Sequence, residues 1–138
     1  MTATLSPYIN LEDTTKEAMA FYQSIFGGDL TSSTFGEFGM EGPDATKIMH
    51  SQLVTDQGFT IMCADTPAGM ERSSGSGITI SLSGTDSELR DWFAALSQDG
   101  TVTTKLEKQM WGDEFGQLTD KFGVGWLVNI SRTGPPQA

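Results

Sequence analysis

The chain has 138 residues, 37% of them apolar and 19% charged, a length and mixture that suit one globular domain with a substantial core. Its formal charge of −10 and eight scattered basic residues make no phosphate-tracking patch, which argues against nucleic acid as a partner. One cysteine excludes an internal disulfide framework, and no apolar run is long enough to span a membrane.

The N-terminus, MTATLSPYIN, has neither a basic n-region nor an apolar h-region, so no secretory signal is expected. With the single cysteine, this predicts a cytoplasmic protein. Residues 5–12 alternate, with Tyr8, Asn10 and Glu12 on one side and Ile9 and Leu11 on the other. That period predicts a strand, with Pro7 near its start or on an edge. Thr14 and Glu17 have the spacing of a capping box, and Ala18, Phe21, Tyr22, Ile25 and Phe26 then recur at helical spacing. Gly27 and Gly28 end the predicted helix over 14–26.

Residues 31–38 are rich in Thr and Ser and suit a strand; FGMEGPD over 38–44 is a loop. The stretch 47–55 alternates again, with Ile48, His50 and Gln52 against Met49, Ser51 and Leu53. A turn at Asp56, Gln57 and Gly58 leads into a partner strand over 59–64. TPAGMERSSGS, over 66–76, has no periodicity and reads as a surface linker.

The pattern then starts over. Ile78, Ile80 and Leu82 share one face of a strand; Thr85 and Glu88 repeat the capping-box spacing. Leu89, Trp92, Phe93 and Leu96 form the apolar face of a second helix that Gly100 ends, and residues 102–108 make a polar strand. The last segment, MWGDEFGQLTDKFGVGW over 110–126, reads as a closing hairpin with its turn at residues 120–123. Its rings either line a pocket or fill a core. Thr14 and Thr85 lie 71 residues apart, about half the chain. A duplicated βαβββ unit explains this spacing. The predicted class is α+β: two units, about 5–66 and 77–131, joined by a linker at about 67–76 within a single domain. Their strands are expected to form one curved mixed sheet of about eight strands, with helices on the convex face and a ligand cavity on the concave one.

The words PYINLED, KEAMAFYQSIFGGDL, IMHSQL and QMWGDEFGQLTDKFGVGW cover nearly the whole chain. Together they resemble the vicinal oxygen chelate superfamily (glyoxalases, bleomycin-resistance proteins, extradiol dioxygenases), and within it the PhnB-like group. The resemblance implies a small-molecule ligand and, by analogy, a homodimer. In members with chemistry it implies one divalent metal held by His or Gln on the first strand of each unit and Glu on the last, with open positions for a chelating substrate. Carried onto this chain, those positions fall at Pro7 or Tyr8, at Ile78 or Thr79, on FTIMCA, and at Leu127, Val128 or Asn129. None is a usual ligand, so no metal or other cofactor is expected. A divalent metal would need a non-standard set such as His50 with Gln52 or Glu107.

His50 is the only histidine and the best catalytic candidate, as a substrate-binding group or general base; it reads equally as a strand histidine satisfied by a neighbour. The expected cavity residues are Tyr8, Asn10, His50, Gln52, Met62 and Trp111. Trp111 either stacks on a ligand or belongs to the core. Asp113 and Glu114 either receive a cationic group or are solvated. Cys63 reads as a buried, unreactive thiol. Met40, Met49, Met62 and Met110 either line the cavity or fill gaps in the core. Three readings stand side by side: a small-molecule binder without a metal, a metal enzyme with non-standard ligands, and a protein that sequesters a cationic drug, which the acidity would favour. Some PhnB-like sequences are named as demethylubiquinone methyltransferases. Against that activity, the chain has no Gly-rich loop following a strand; Gly75, Ser76 and Gly77 lie in the linker.

Overall fold

The structure is a computed structural model of the chain, and it describes residues 5–66 and 78–131. The chain divides into two compact units, Met1–Ser74 and Gly75–Ala138. Unit 1 runs β1 (Tyr8–Leu11), α1 (Thr15–Phe26), β2 (Asp29–Thr34), a 3-10 turn (Gly36–Phe38), β3 (Ile48–Val54) and β4 (Thr60–Asp65). Unit 2 runs β5 (Ile80–Gly84), α2 (Glu88–Leu96), β6 (Thr101–Lys108), β7 (Glu114–Thr119) and β8 (Gly125–Ile130). The predicted linker at 67–76 lies outside the described residues.

Each unit is βαβββ and carries its own four-stranded mixed sheet, ordered β1-β4-β3-β2 and β5-β8-β7-β6. The first strand pairs parallel with the last, and the remaining pairs are antiparallel. The eight strands are thus grouped as two sheets, with the same topology in both halves. Each helix packs on one face of its own sheet.

In α1, burial falls on Thr15, Ala18, Met19, Tyr22 and Phe26. Phe21 and Ile25, expected on the buried face, are only half-buried, and Met19 takes a core place instead. The capping box does not form: the Thr14 side chain makes no capping bond. The acceptor for the first turn comes from far along the chain. Asp65, at the end of β4, takes the Thr15 N–H at 3.0 Å and the Ile48 N–H at 2.9 Å. The second capping box is also absent, because α2 starts at Glu88 after Ser87 and Thr85 lies outside the helix. Its predicted apolar face, Leu89, Trp92, Phe93 and Leu96, is buried as expected.

Close approach of neighbouring atoms requires glycine at positions 28 and 116, among others. Gly28 has φ +104°, and a Cβ there would lie 2.1 Å from the Val54 carbonyl oxygen. Gly116 passes beneath α2, and a Cβ there would lie 2.9 Å from Phe93 Cε2 and 2.8 Å from Leu106 Cα. In the closing hairpin, Gly123 adopts φ +88° and the Asp120 N–H bonds the Val124 carbonyl at 2.8 Å. The Asp120 carboxylate accepts from the Phe122 and Val124 N–H groups and from Trp126 Nε1. Trp126 is fully buried among Leu118, Val128 and Ile130, so this ring of the hairpin is core.

Candidate ligand-binding face

Directly paired residues in a sheet point to the same face. In unit 1 the register joins Tyr8 with Met62, Met62 with Gln52, and Gln52 with Thr31. A second row holds Asn10 with Ala64, and His50 with Ser33. The opposite face carries Ile61, Cys63, Ser51 and Leu53, all buried, and Cys63 Sγ lies 3.4 Å from Thr15 Oγ1 of α1. Five of the six predicted cavity residues, Tyr8, Asn10, His50, Gln52 and Met62, therefore share the sheet face turned away from the helix.

One alternation differs from expectation. Ile48 is buried, unlike His50 and Gln52, because the register slips by one residue: Ser33 pairs with His50 and Thr34 with Ile48. Met49 is the extra residue of this bulge, and the bulge re-aims the side chain that precedes it.

At the centre of the face, Tyr8 Oη lies 3.4 Å from His50 Nδ1, and the two ring centroids are 5.9 Å apart. When Nδ1 accepts the phenol proton, Nε2 carries the imidazole hydrogen and serves as a donor. Gln52 adds an amide and Met62 a polarisable apolar surface. Tyr8 is 48% exposed, while His50, Gln52 and Met62 are half-buried. The face can thus hold an apolar group and at the same time hydrogen-bond an acceptor.

The sixth residue, Trp111, belongs to unit 2. It lies in the loop between β6 and β7, is 61% exposed and meets Phe115 edge-on at 6.3 Å. Its placement corrects the core reading, since the loop carries the ring beyond the sheet. Of the four methionines expected to line the cavity or fill gaps in the core, Met40 and Met110 are exposed and Met49 and Met62 half-buried, so none of these four fills the core. Asp113 and Glu114 are not simply solvated. Asp113 accepts from Asn129 Nδ2 and Ser131 Oγ, and Glu114 is bound by both Arg90 Nε and Nη2. The Arg90 guanidinium holds the Glu114 carboxyl below its ordinary value. Glu107 pairs with Phe115, and Phe115 with Asn129, so Glu107 stands on the open face of the second sheet.

The strand boundaries refine where family metal ligands would stand. Ile78 and Thr79 precede β5, and the side chains on its open face are Ser81 and Ser83, paired with Leu127 and Asn129 of β8. On β1 and β4 the corresponding side chains are Tyr8, Asn10 and Met62. Strand β4 does end on a carboxylate, Asp65, one residue past FTIMCA. It is buried and engaged by two backbone N–H groups. The first- and last-strand positions thus offer a phenol, amides, hydroxyls and a thioether, without imidazole or free carboxylate. This neutral donor set does not fit a resident divalent metal.

The family model of the Glyoxalase/Bleomycin resistance protein/Dioxygenase superfamily matches residues 11–128. Protein YjdN of Escherichia coli (strain K12) is 34% identical over 149 residues, spanning 96% of this chain and 99% of its own. The crystal structure of protein PA1353 from Pseudomonas aeruginosa is similar with a TM-score of 0.84 at 31% identity, covering 94% of this chain and 98% of that one. A PhnB protein from Bacillus cereus shares the fold with a TM-score of 0.76 at 23% identity, over 94% of this chain and all of that one.

Proposed function

The chain belongs to the glyoxalase/bleomycin resistance protein/dioxygenase superfamily, and from that premise we propose that it is a PhnB-like small-molecule-binding protein that works without a resident metal. Its binding surface is the open face of β1, β4 and β3. The observation that carries this reading is the Tyr8–His50 pair, set beside Gln52 and Met62 on that face. The ligand it suits is an organic molecule with an apolar portion for Met62 and the Tyr8 ring, and a carbonyl or similar acceptor for His50 Nε2 and the Gln52 amide. Asn10 extends the polar edge of the same face. We place the protein in the cytoplasm and expect it to act as a homodimer, the latter by analogy with the fold.

A small-molecule library screened by protein-observed NMR tests the assignment. Hits should shift the signals of Tyr8, His50, Gln52 and Met62, and both His50→Ala and Gln52→Ala should weaken a hit by about tenfold, as expected for one lost hydrogen bond to a neutral ligand. Hits that map elsewhere, or that bind both variants unchanged, overturn it.

The metal-enzyme alternative would use His50 with Gln52 or Glu107. It predicts stoichiometric Zn, Ni, Mn or Fe in protein purified without chelator, and such a result would displace the metal-free reading. The charge of −10 favours one further reading, the sequestration of a cationic drug. Affinity for a cationic glycopeptide that falls steeply with salt would support it. A methyltransferase activity has no support in the fold, because neither four-stranded mixed sheet is the doubly wound parallel sheet that cradles a nucleoside.

A further inference from the structure

The face of the second sheet turned away from α2 is set out in two rows. Glu107 of β6 pairs with Phe115 of β7, Phe115 with Asn129 of β8, and Asn129 with Ser83 of β5. The next row crosses the same strands through Thr104, Gln117, Leu127 and Ser81. Directly paired residues point the same way. Gly116, between the two rows on β7, lies under Phe93 of α2, so both rows face away from the helix.

Trp111 borders the first row, its ring edge-on to Phe115 at 6.3 Å. The turn that carries it is closed. The Gln109 N–H bonds the Asp113 carbonyl at 2.7 Å, and the Gly112 N–H bonds the Gln109 carbonyl at 3.0 Å. The indole is thus held in place yet 61% exposed, and with Phe115 it makes an apolar corner that the core does not use. Asn129 Nδ2 donates to Asp113 Oδ2 at 3.1 Å, which fixes the amide and leaves its Oδ1 to accept from a ligand. Ser81 and Ser83 set two hydroxyls 3.3 Å apart. Around the apolar corner the rows therefore supply a carboxylate, two amides and three hydroxyls. The charged groups in and beside the rows are Glu107, Asp113 and, in the β6 bulge, Lys105: two carboxylates and one ammonium, a net −1 that draws no anion. A wholly apolar ligand would leave the polar groups buried without partners. The ligand that fits is a neutral ring with hydroxyls at its edge and C–H groups on its face.

We propose that this face binds the pyranose ring of a sugar. The C–H face of the ring lies on Trp111 and Phe115, and its hydroxyls bond Glu107, Asn129 and Ser83. A free monosaccharide and the sugar of a glycoside both present this chemistry. The site shares no residue with the ligand face of the first sheet and does not depend on that assignment.

The test is a protein-observed NMR titration of the full chain with the methyl pyranosides of glucose, galactose and mannose, with the free sugars in one parallel arm and glycerol in another. At least one pyranoside should give saturable shifts at the Trp111 indole N–H, at Phe115 and at the Asn129 amide. Trp111→Ala should weaken it about tenfold through the lost apolar contact, and Glu107→Gln about fivefold through the lost charged acceptor. Both side chains are exposed, so their replacement leaves the core intact. Phe38→Ala, which removes an exposed ring from unit 1, should leave binding unchanged. The arm that binds more tightly tells a free sugar from a glycoside. Shifts that fail to saturate with every pyranoside, or binding that Trp111→Ala leaves unchanged or that Phe38→Ala weakens equally, overturn the proposal. Glycerol binding as tightly as the pyranosides overturns the recognition of a ring.

Discussion

The Asp65 carboxylate joins three elements through two hydrogen bonds, from β4 to the start of α1 and to the start of β3. Its truncation leaves two buried donors without that acceptor, each loss costing on the order of 1–3 kcal/mol. Asp65→Ala should therefore lower the unfolding free energy by about 3 kcal/mol in a urea titration followed by far-UV circular dichroism. A change below about 1 kcal/mol would show that other groups satisfy these amides. In sequence, Asp65 is one more acid before a breaker-rich stretch, while Thr14 and Glu17 have capping-box spacing. A cap supplied by a residue 50 positions away has no local signature, and it displaced the local candidate. The rings of 110–126 make the same point. Trp126 and Trp111 are equal in composition, yet one is buried against Asp120 and the other stands in a loop. The difference lies in strand register: Trp126 pairs with Leu118 on the helix-facing side of β8.

At the scale of elements, α2 is held to its sheet by packing and by one ion pair. Phe93 lies against the backbone at Gly116, where a Cβ would approach within 2.9 Å of the ring. Gly116→Ala should cost about 1–3 kcal/mol of stability through overpacking, readable as a lower urea midpoint with an unchanged slope. A neutral result would mean that α2 shifts freely on the sheet. The ion pair from Arg90 to Glu114 links α2 to the start of β7 and gives a pH dependence. Because Arg90 lowers the folded-state value of Glu114, its stabilisation is full above the unfolded value of about 4.3 and is lost as pH falls through the lower folded one. Glu114→Gln should thus lower stability at neutral pH, with its curve meeting that of the native chain in strong acid. The side chains keep 51% and 26% of their exposure, so the gap should be small and should shrink with added salt. Curves that stay apart in strong acid would assign the effect to packing.

For the whole molecule, charge is the dominant physical property. With a net charge of −10 and a sequence pI near 4.2, repulsion between molecules is strong at neutral pH and vanishes near the isoelectric point. Solubility should therefore pass through a minimum near pH 4.2, seen as turbidity that clears when the pH is raised. Turbidity that instead peaks near neutrality would point to association through apolar surface.

The duplicated βαβββ order, the apolar face of α2, the glycine stop of α1 and the alternation of Tyr8 with Asn10 were all legible from local pattern. Period, capping residues and turn glycines act over a few positions, and a chain carries them wherever it is read. Pairing between distant strands decided the rest. It grouped the eight strands as two sheets, brought Tyr8 against His50 across 42 positions, and slipped β3 by one residue so that Ile48 left the face of His50. It also set Asp65 beneath one helix and Ile130 at the equivalent place beneath the other. These outcomes depend on register. Register is fixed by the summed fit of whole strands, a property that no single stretch of sequence contains.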